Sequence, residues 1–418
     1  MKIRLVHLFS IFLLTGSLPI RAQQRLTLQQ ALQNAKSNNS FLKAAYTQIG
    51  VAESDVVTAG LRPNPSLNNQ SLQLLRPSSL PANPDWYNGR NRQIWWQLTK
   101  PFQLAGQREA RLELANKNVS AAQKTFEETE RNLFADVAAK WLELWRAQKQ
   151  LNLIDLAIAN VDSLAEINRL RFKNQVITQT ELFRTELLAK QYALERKTAG
   201  LEVANKQKEL GYLLGIPGSI SIDTADQFAL TNPAGIDSLL AQSLQNRSDI
   251  AGTRALLDAS VSNIRLQKAL SYPQPELGVI WNPQNKVPYL GIYATIDLPV
   301  FNRNQGEIKK SYVLKEQAAK QVSDLEQRIR TEISTAWDSY QLQKKNAESF
   351  RGVLSQSQTI LDNVRYSYLK GGTTIIDFLE AQRSWLETQQ QYHEALGMYR
   401  QSYIKLLFAT GIINQLAQ

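Results

Sequence analysis

"RPNPSL" at 62–67 returns as "YPQPEL" at 272–277, and that echo decides the fold. Pro63, Pro65 and Leu67 reappear as Pro273, Pro275 and Leu277, each displaced by 210. Proline lacks an amide donor and pushes the residue before it out of α geometry, so each Pro-x-Pro should end a helix. The displacement of 210 also relates Ala31, Ala45 and Val51 to Ala241, Ala255 and Val261. It becomes 198 for Pro101, Gln107 and Glu109 against Pro299, Gln305 and Glu307. It is 196 for Trp141, Leu210 and Gly215 against Trp337, Leu406 and Gly411. Matches in one order along 31–215 read as a two-fold internal repeat, not as an array of short solenoid units.

Each half is expected to run helix, strands, long helix, third helix. The first helices are expected over about 27–62, with Thr27 as N-cap, and about 236–272. Very long helices follow at about 108–172 and 304–368. At 1.5 Å per residue each spans roughly 100 Å. Their apolar residues step by three and four, as in Leu151, Ile154, Ile158, Val161 and Ala165, and later Leu361, Val364 and Tyr368. So narrow a stripe on so long a helix predicts coiled-coil packing. Turns at 173–177 and 370–374 lead to third helices ending near Leu214 and Ala409.

Between the prolines the period changes to two. Leu290, Ile292, Ala294, Ile296 and Leu298 alternate with Tyr289, Gly291, Tyr293, Thr295 and Asp297. Ile94, Trp96 and Leu98 alternate with Gln93, Gln97 and Thr99. One hairpin is expected over about 66–100 and another over about 276–298, the latter turning at 282–288. Pro63, Pro65, Pro101, Pro273, Pro275 and Pro299 thus mark the helix-to-strand junctions. The first copy is longer by 12 residues around 76–92, where Pro, Asn and Gly predict an exposed loop.

About ten residues per strand suffice to cross a membrane at a tilt. Four strands cannot close a barrel, and open edges in lipid leave unpaired backbone groups, so other copies must supply the missing pairs. Two copies give a barrel filled by side chains, and three leave room for a passage. Trp95, Trp96, Trp281, Tyr289 and Tyr293 are candidates for an interfacial aromatic girdle, or for ordinary core packing.

The 418 residues carry 43% hydrophobic side chains, with a mean hydropathy of −0.33. Past the N-terminus no apolar run reaches the roughly 20 residues of a spanning helix. Lys2, Arg4, the apolar "LFSIFLL" and Ala22 read as a signal peptide over 1–22. Removing Lys2, Arg4 and Arg21 with it lowers the net charge from +11 to +8. The remaining positive charge is interspersed with acids along helices and reads as a solvated face; an exported chain implies no nucleic acid partner. There is no Cys, which excludes disulfides, thiolate metal sites and a lipid-modified cysteine. His7 lies in the leader, leaving His393 alone, so neither a catalytic constellation nor a dedicated transition-metal or cofactor site is expected. "GG" at 371–372 lacks the Lys of a phosphate loop.

"LTLQQALQNAKSNN" (26–39), "AGLRPNPSL" (59–67), "LPVFNRNQGEI" (298–308) and "YLKGGTTIIDFLEAQRSWLE" (368–387) resemble the TolC family of outer-membrane efflux ducts. The likeness is greatest to the branch serving cobalt–zinc–cadmium and copper–silver efflux. The resemblance implies a mainly α fold with a membrane β-barrel part: a homotrimer with a twelve-stranded barrel in outer-membrane lipid and a helical tunnel in the periplasm. It implies docking to a periplasmic adaptor and an inner-membrane pump, with passive conduction of metal cations or small toxic compounds and no enzymatic step. Its repeats would be 23–215 and 235–418, joined by a linker at 216–234 on the tunnel exterior. It places Asp377 and Glu380 at a periplasmic aperture, and Asn174, Gln175, Gly371, Gly372 and Thr373 in the aperture turns, where an adaptor could touch. Some relatives hold a closing arginine where this chain has Thr373. Gly371 and Gly372 permit left-handed backbone, as a hinge or a plain turn. Residues alone also allow Asp377 and Glu380 to be acids favoured by a helix dipole. Two other readings stay open: the duct of a type I protein secretion system, and a soluble periplasmic coiled-coil adaptor or scaffold.

Overall fold

The computed structural model describes residues 25–73, 92–218, 220–225, 233–284 and 287–417. The expected leader, all but the last residue of the loop at 76–92, and part of the linker at 216–234 lie outside the described residues.

A two-residue strand β1 (Arg25–Leu26) leads to α1 (Leu28–Asn38) and α2 (Ser40–Gly60), then β2 (Ser66–Gln73) and β3 (Arg92–Pro101). The long α3 (Gln107–Lys173) and α4 (Gln179–Leu214) form a helical hairpin. After β4 (Ser221–Ile222) the order recurs: α5 (Ile236–Asn246), α6 (Ser248–Ala269), β5 (Glu276–Gln284), β6 (Val287–Thr295), α7 (Gln305–Leu369) and α8 (Ile375–Ala409). A short 3-10 turn, Ile413–Ala417, ends the chain.

Thr27 caps α1 as expected. Its hydroxyl accepts from the Gln30 amide and the Gln30 side chain accepts from the Thr27 amide, a reciprocal box. The single helices expected over 27–62 and 236–272 are each two helices. Asn39 leaves α geometry (φ −62°, ψ 121°), its Oδ1 accepting from the Leu42 amide and its Nδ2 donating to the Leu213 carbonyl. Arg247 breaks the second helix in the same way (φ −71°, ψ 126°) and donates to the Ala409 carbonyl. Both breaks are held by contacts more than 160 residues away, which no local pattern announces.

The main core lies where the helices of both halves cross. Leu28 and Leu32 of α1, Phe134, Trp141 and Trp145 of α3, Ile250 of α6, Ile329 and Tyr340 of α7 and Leu406 of α8 share one buried cluster. Burying one such side chain contributes about 1.5–3 kcal/mol. The buried indoles keep their N–H groups paired: Trp141 donates to the Leu26 carbonyl and Trp145 to the Thr224 carbonyl. The parallel pairing of β1 with β4 was not expected. It brings Ile220 and Ile222 into the core, so the start of the expected linker is a packed part of the structure. Two smaller clusters line the hairpins, one of Leu153, Leu164, Leu361 and Trp385, the other of Ala157, Val161 and Tyr192.

Candidate functional site

Two regions stand out: the sheet, and the turns where the long hairpins reverse. The strands form one antiparallel sheet in the order β2-β3-β5-β6. The second hairpin differs from expectation. Its ladder runs on to Gln284↔Val287, and β6 ends at Thr295 rather than near 298. The segment 282–288 is therefore mostly strand, and Pro283 pairs with Pro288. Register explains why the prolines are tolerated. Antiparallel residues alternate between bonded and non-bonded pairs. With Gln284↔Val287 bonded next to the turn, Pro283↔Pro288 falls on a non-bonded pair and their missing amides break nothing between β5 and β6. Pro283 would have to donate toward β3, and the β3–β5 ladder stops just before it, at Trp96↔Trp281. At the other end the Phe102 amide donates to the Pro275 carbonyl, which fixes the same alternation. Of the junction prolines, Pro63, Pro65, Pro273, Pro275 and Pro299 lie between elements, and Pro101 is the last residue of β3.

The register sorts the side chains. Leu67, Leu98, Val279 and Ile292 form one cross-strand row, and Asn69, Trp96, Trp281 and Leu290 the next row on the same face. That face is apolar and bare, with Leu290 81% and Ile292 89% exposed. The opposite face carries Ser66, Thr99, Asn68, Gln97, Gln70 and Asn282. The five expected girdle aromatics divide between the faces. Trp96 and Trp281 are cross-strand partners on the apolar face, while Trp95, Tyr289 and Tyr293 lie on the polar one. None of the five is buried in the chain. Gly278 opposes Thr99, and a Cβ there would strike the Leu98 carbonyl oxygen, so β3 and β5 approach closely only because this residue is glycine.

At the tips, Asn174 is the C-cap of α3 and Gln175 is left-handed (φ 59°), while Lys370 is the C-cap of α7 and Gly371 is left-handed (φ 79°). Both turns close by the same pair of bonds. Gln175 donates to the Phe172 carbonyl and Val176 to that of Arg171; Gly371 donates to Tyr368 and Gly372 to Ser367. Of the two glycines that permit left-handed backbone here, only Gly371 takes it, since one such residue completes the reversal.

Asp377 is the third residue of α8 and is fixed by a capping box with Thr374. Its Oδ2 accepts from the Thr374 hydroxyl at 2.6 Å, the Thr373 hydroxyl at 2.7 Å and the Thr374 amide at 3.1 Å. The hydrogen bonds from Thr374 and then Thr373 hold its pKa below the ordinary carboxylate value. Thr373 thus serves this cap. Thr178 and Glu181 build the same box on α4. Glu380 is exposed.

A buried polar chain behind the tips escaped the sequence reading. The Tyr368 hydroxyl donates to Asn168 Oδ1 at 2.7 Å, and Asn168 Nδ2 donates to the Thr185 hydroxyl at 2.9 Å. It joins α7 to the α3–α4 hairpin. The Arg171 guanidinium lies 4.8 Å from the Tyr368 ring, and Phe378 stacks on that ring. The signal was present: Asn168 continues the stripe of Val161 and Ala165, and a polar residue at such a position specifies pairing.

His393 is half-buried against Trp145 and Tyr392, and burial, then Lys149, holds its pKa down. Among the described residues, no group of three His, Cys, Asp or Glu could hold a metal ion. No described helix is long and apolar enough to cross a membrane.

A two-faced four-stranded sheet is thus carried on two long helical hairpins. The outer membrane efflux protein family matches residues 31–215 and 239–412, and the chain belongs to it. The cobalt-zinc-cadmium resistance protein CzcC of Cupriavidus metallidurans is 24% identical over 92% of this chain and 89% of its own length. The outer membrane efflux protein BepC of Brucella suis is 20% identical over 92% of this chain and 85% of its own. In fold, the chain is similar to the crystal structure of CusC, with a TM-score of 0.76 at 19% identity over 92% of each chain.

Proposed function

We propose that three copies of this chain form an outer-membrane channel whose barrel is built from their three four-stranded sheets, with the helical hairpins extending into the periplasm. The carrying observation is the two-faced sheet with two open edges. By the alternation of bonded pairs, Leu290, Ile292 and Ala294 turn their amides outward on β6, and Leu67, Asn69 and Ser71 do so on β2. All six lie on the apolar face. The β6 edge of one copy can therefore pair with the β2 edge of the next, antiparallel, keeping every apolar face outward and every polar face inward. Twelve strands then close with a passage, and no edge is left in lipid. The recurring element order and the displaced sequence matches support descent of the two halves from one duplicated unit.

The channel is read as the outer component of an efflux assembly, fed by a periplasmic adaptor and an inner-membrane pump. Asp377 and Glu380 from three chains would ring its periplasmic aperture and attract cations, with the turns at 174–178 and 370–374 offered to the adaptor. Likeness to CzcC favours metal cations as cargo. They would pass as substrate without a resident site.

Conductance of the detergent-purified protein in a planar bilayer tests this reading. Discrete cation-selective openings are expected, with larger conductance and lost selectivity in Asp377→Ala/Glu380→Ala. Wild-type behaviour in the double variant would remove these residues from the aperture. A protein soluble without detergent and silent in the bilayer would overturn the channel.

A further inference from the structure

A cavity of about 270 Å³ opens between α3, α7 and α8, close to the tips but apart from the aperture residues. Leu164 of α3, Leu361 of α7, and Phe378 and Trp385 of α8 give it an apolar wall. Gln382 lines the same space. Its side chain is only 3% exposed, and neither its amide oxygen nor its amide nitrogen has a partner.

Four of its neighbours are already engaged. Trp385 Nε1 donates to Gln358 Oε1 at 2.7 Å, and Gln358 Nε2 donates to the Asp362 carboxylate. The Ser163 hydroxyl is used on the Ala159 carbonyl. Buried polar groups in folded proteins are almost always paired, and leaving one bare is costly. An apolar-walled recess with a few polar groups is the general form of a small-molecule site, and Asn160 lines this one beside Gln382.

The shape and chemistry narrow the occupant. An apolar cavity of roughly 150 Å³ accepts benzene, so this one has room for a two-ring body. A carboxamide presents donors and an acceptor side by side, and its natural complement is a group of the same kind. Asp362 and Arg365, one charge of each sign, also line the cavity, so neither sign is favoured. We propose that this cavity binds a small uncharged organic molecule with an apolar aromatic body and a carboxamide-type head paired to Gln382. The walls come from both helical hairpins, so an occupant would fasten α3 to α7 and α8. The assignment does not depend on the conducting role.

Titration calorimetry of the full chain in detergent with 2-naphthamide tests it, using the detergent alone as blank. Gln382→Met conserves volume and removes the head group's partner; its helical circular dichroism should match wild type. Saturable binding at one molecule per chain is expected, weakened about tenfold in Gln382→Met, the worth of a buried amide pairing. No saturable heat above the blank in wild type, or equal affinity in the variant, would overturn the proposal.

Discussion

Arg247 and Arg131 are 2% and 3% exposed, and two such charges survive inside a protein only when fully partnered. Arg247 donates to both oxygens of Asp249, to Glu332 and to the Ala409 carbonyl. Arg131 donates to Glu128 and to the Phe408 carbonyl, with its guanidinium 4.1 Å from the Phe408 ring centre. Two cations thus close the carbonyl end of α8, where the helix dipole is negative. Burial pushes the Asp249 carboxyl up, but hydrogen bonds from Arg247 and the charges of Arg247 and Arg131 outweigh it, and the net shift is down. A carboxylate lowered in the folded state stabilises above its unfolded pKa and loses that contribution as pH falls through the folded value. The contribution of Asp249 should therefore be constant from pH 7 to 5 and decline only below its ordinary 3.8. Asp249→Asn should lower unfolding stability by about 3 kcal/mol at pH 7, since it strips buried Arg247 of the carboxylate it grips with two hydrogen bonds. Denaturant melts at pH 7 and pH 3 should show the gap between wild type and variant closing at the lower pH.

Among elements, Tyr368–Asn168–Thr185 is a buried polar set that couples the two helical hairpins near their tips. Tyr368→Phe keeps the ring stacked on Phe378 but takes the donor from Asn168. That should cost about 1–3 kcal/mol, felt locally as faster amide exchange in the first turns of α8 and the last turns of α3, with exchange around Trp141 unchanged. Uniform acceleration along the chain would refute this local role. The helices themselves were legible in the sequence because their signals are local: a Pro-x-Pro that ends a helix, an N-cap at Thr27, an apolar stripe stepping by three and four. What stayed hidden depends on distant residues. Asn39 and Arg247 break helices whose local pattern runs on, because each is recruited by the end of a helix far along the chain. Prolines at 283 and 288 read as turn although register makes them harmless in strand. The β1–β4 pair is two residues long, too short to show a period. At the tips, the aperture role of Asp377 and Glu380 rests on family resemblance, while the residues alone also suggested acids near a helix start; that Asp377 closes a capping box on α8 was not read. Its three hydrogen bonds keep it ionised, so it can attract cations, while protonating it would also mean opening the cap.

For the whole molecule, the edges of the sheet decide whether the chain acts alone. The row of Leu67, Leu98, Val279 and Ile292 is left exposed by the described residues, and an isolated amphipathic sheet of this kind is an aggregation hazard in water. In the proposed assembly, lipid on one face and neighbouring copies at both edges would remove that hazard together. The alternation of bonded pairs makes the assembly testable with one residue. Ile292 points its amide away from β5, so Ile292→Pro leaves the ladder within the chain intact. It removes a donor from the middle of the outward row on β6, where the next copy's β2 would accept. The expected outcome is a chain with wild-type helical circular dichroism that runs as a monomer in mild detergent and forms no pores. Gly291→Ala, at the adjacent inward-bonding position with open space for a Cβ, should still give trimers. If Ile292→Pro assembled normally, pairing through the β6 edge would be wrong, and the copies would have to associate through their helices alone.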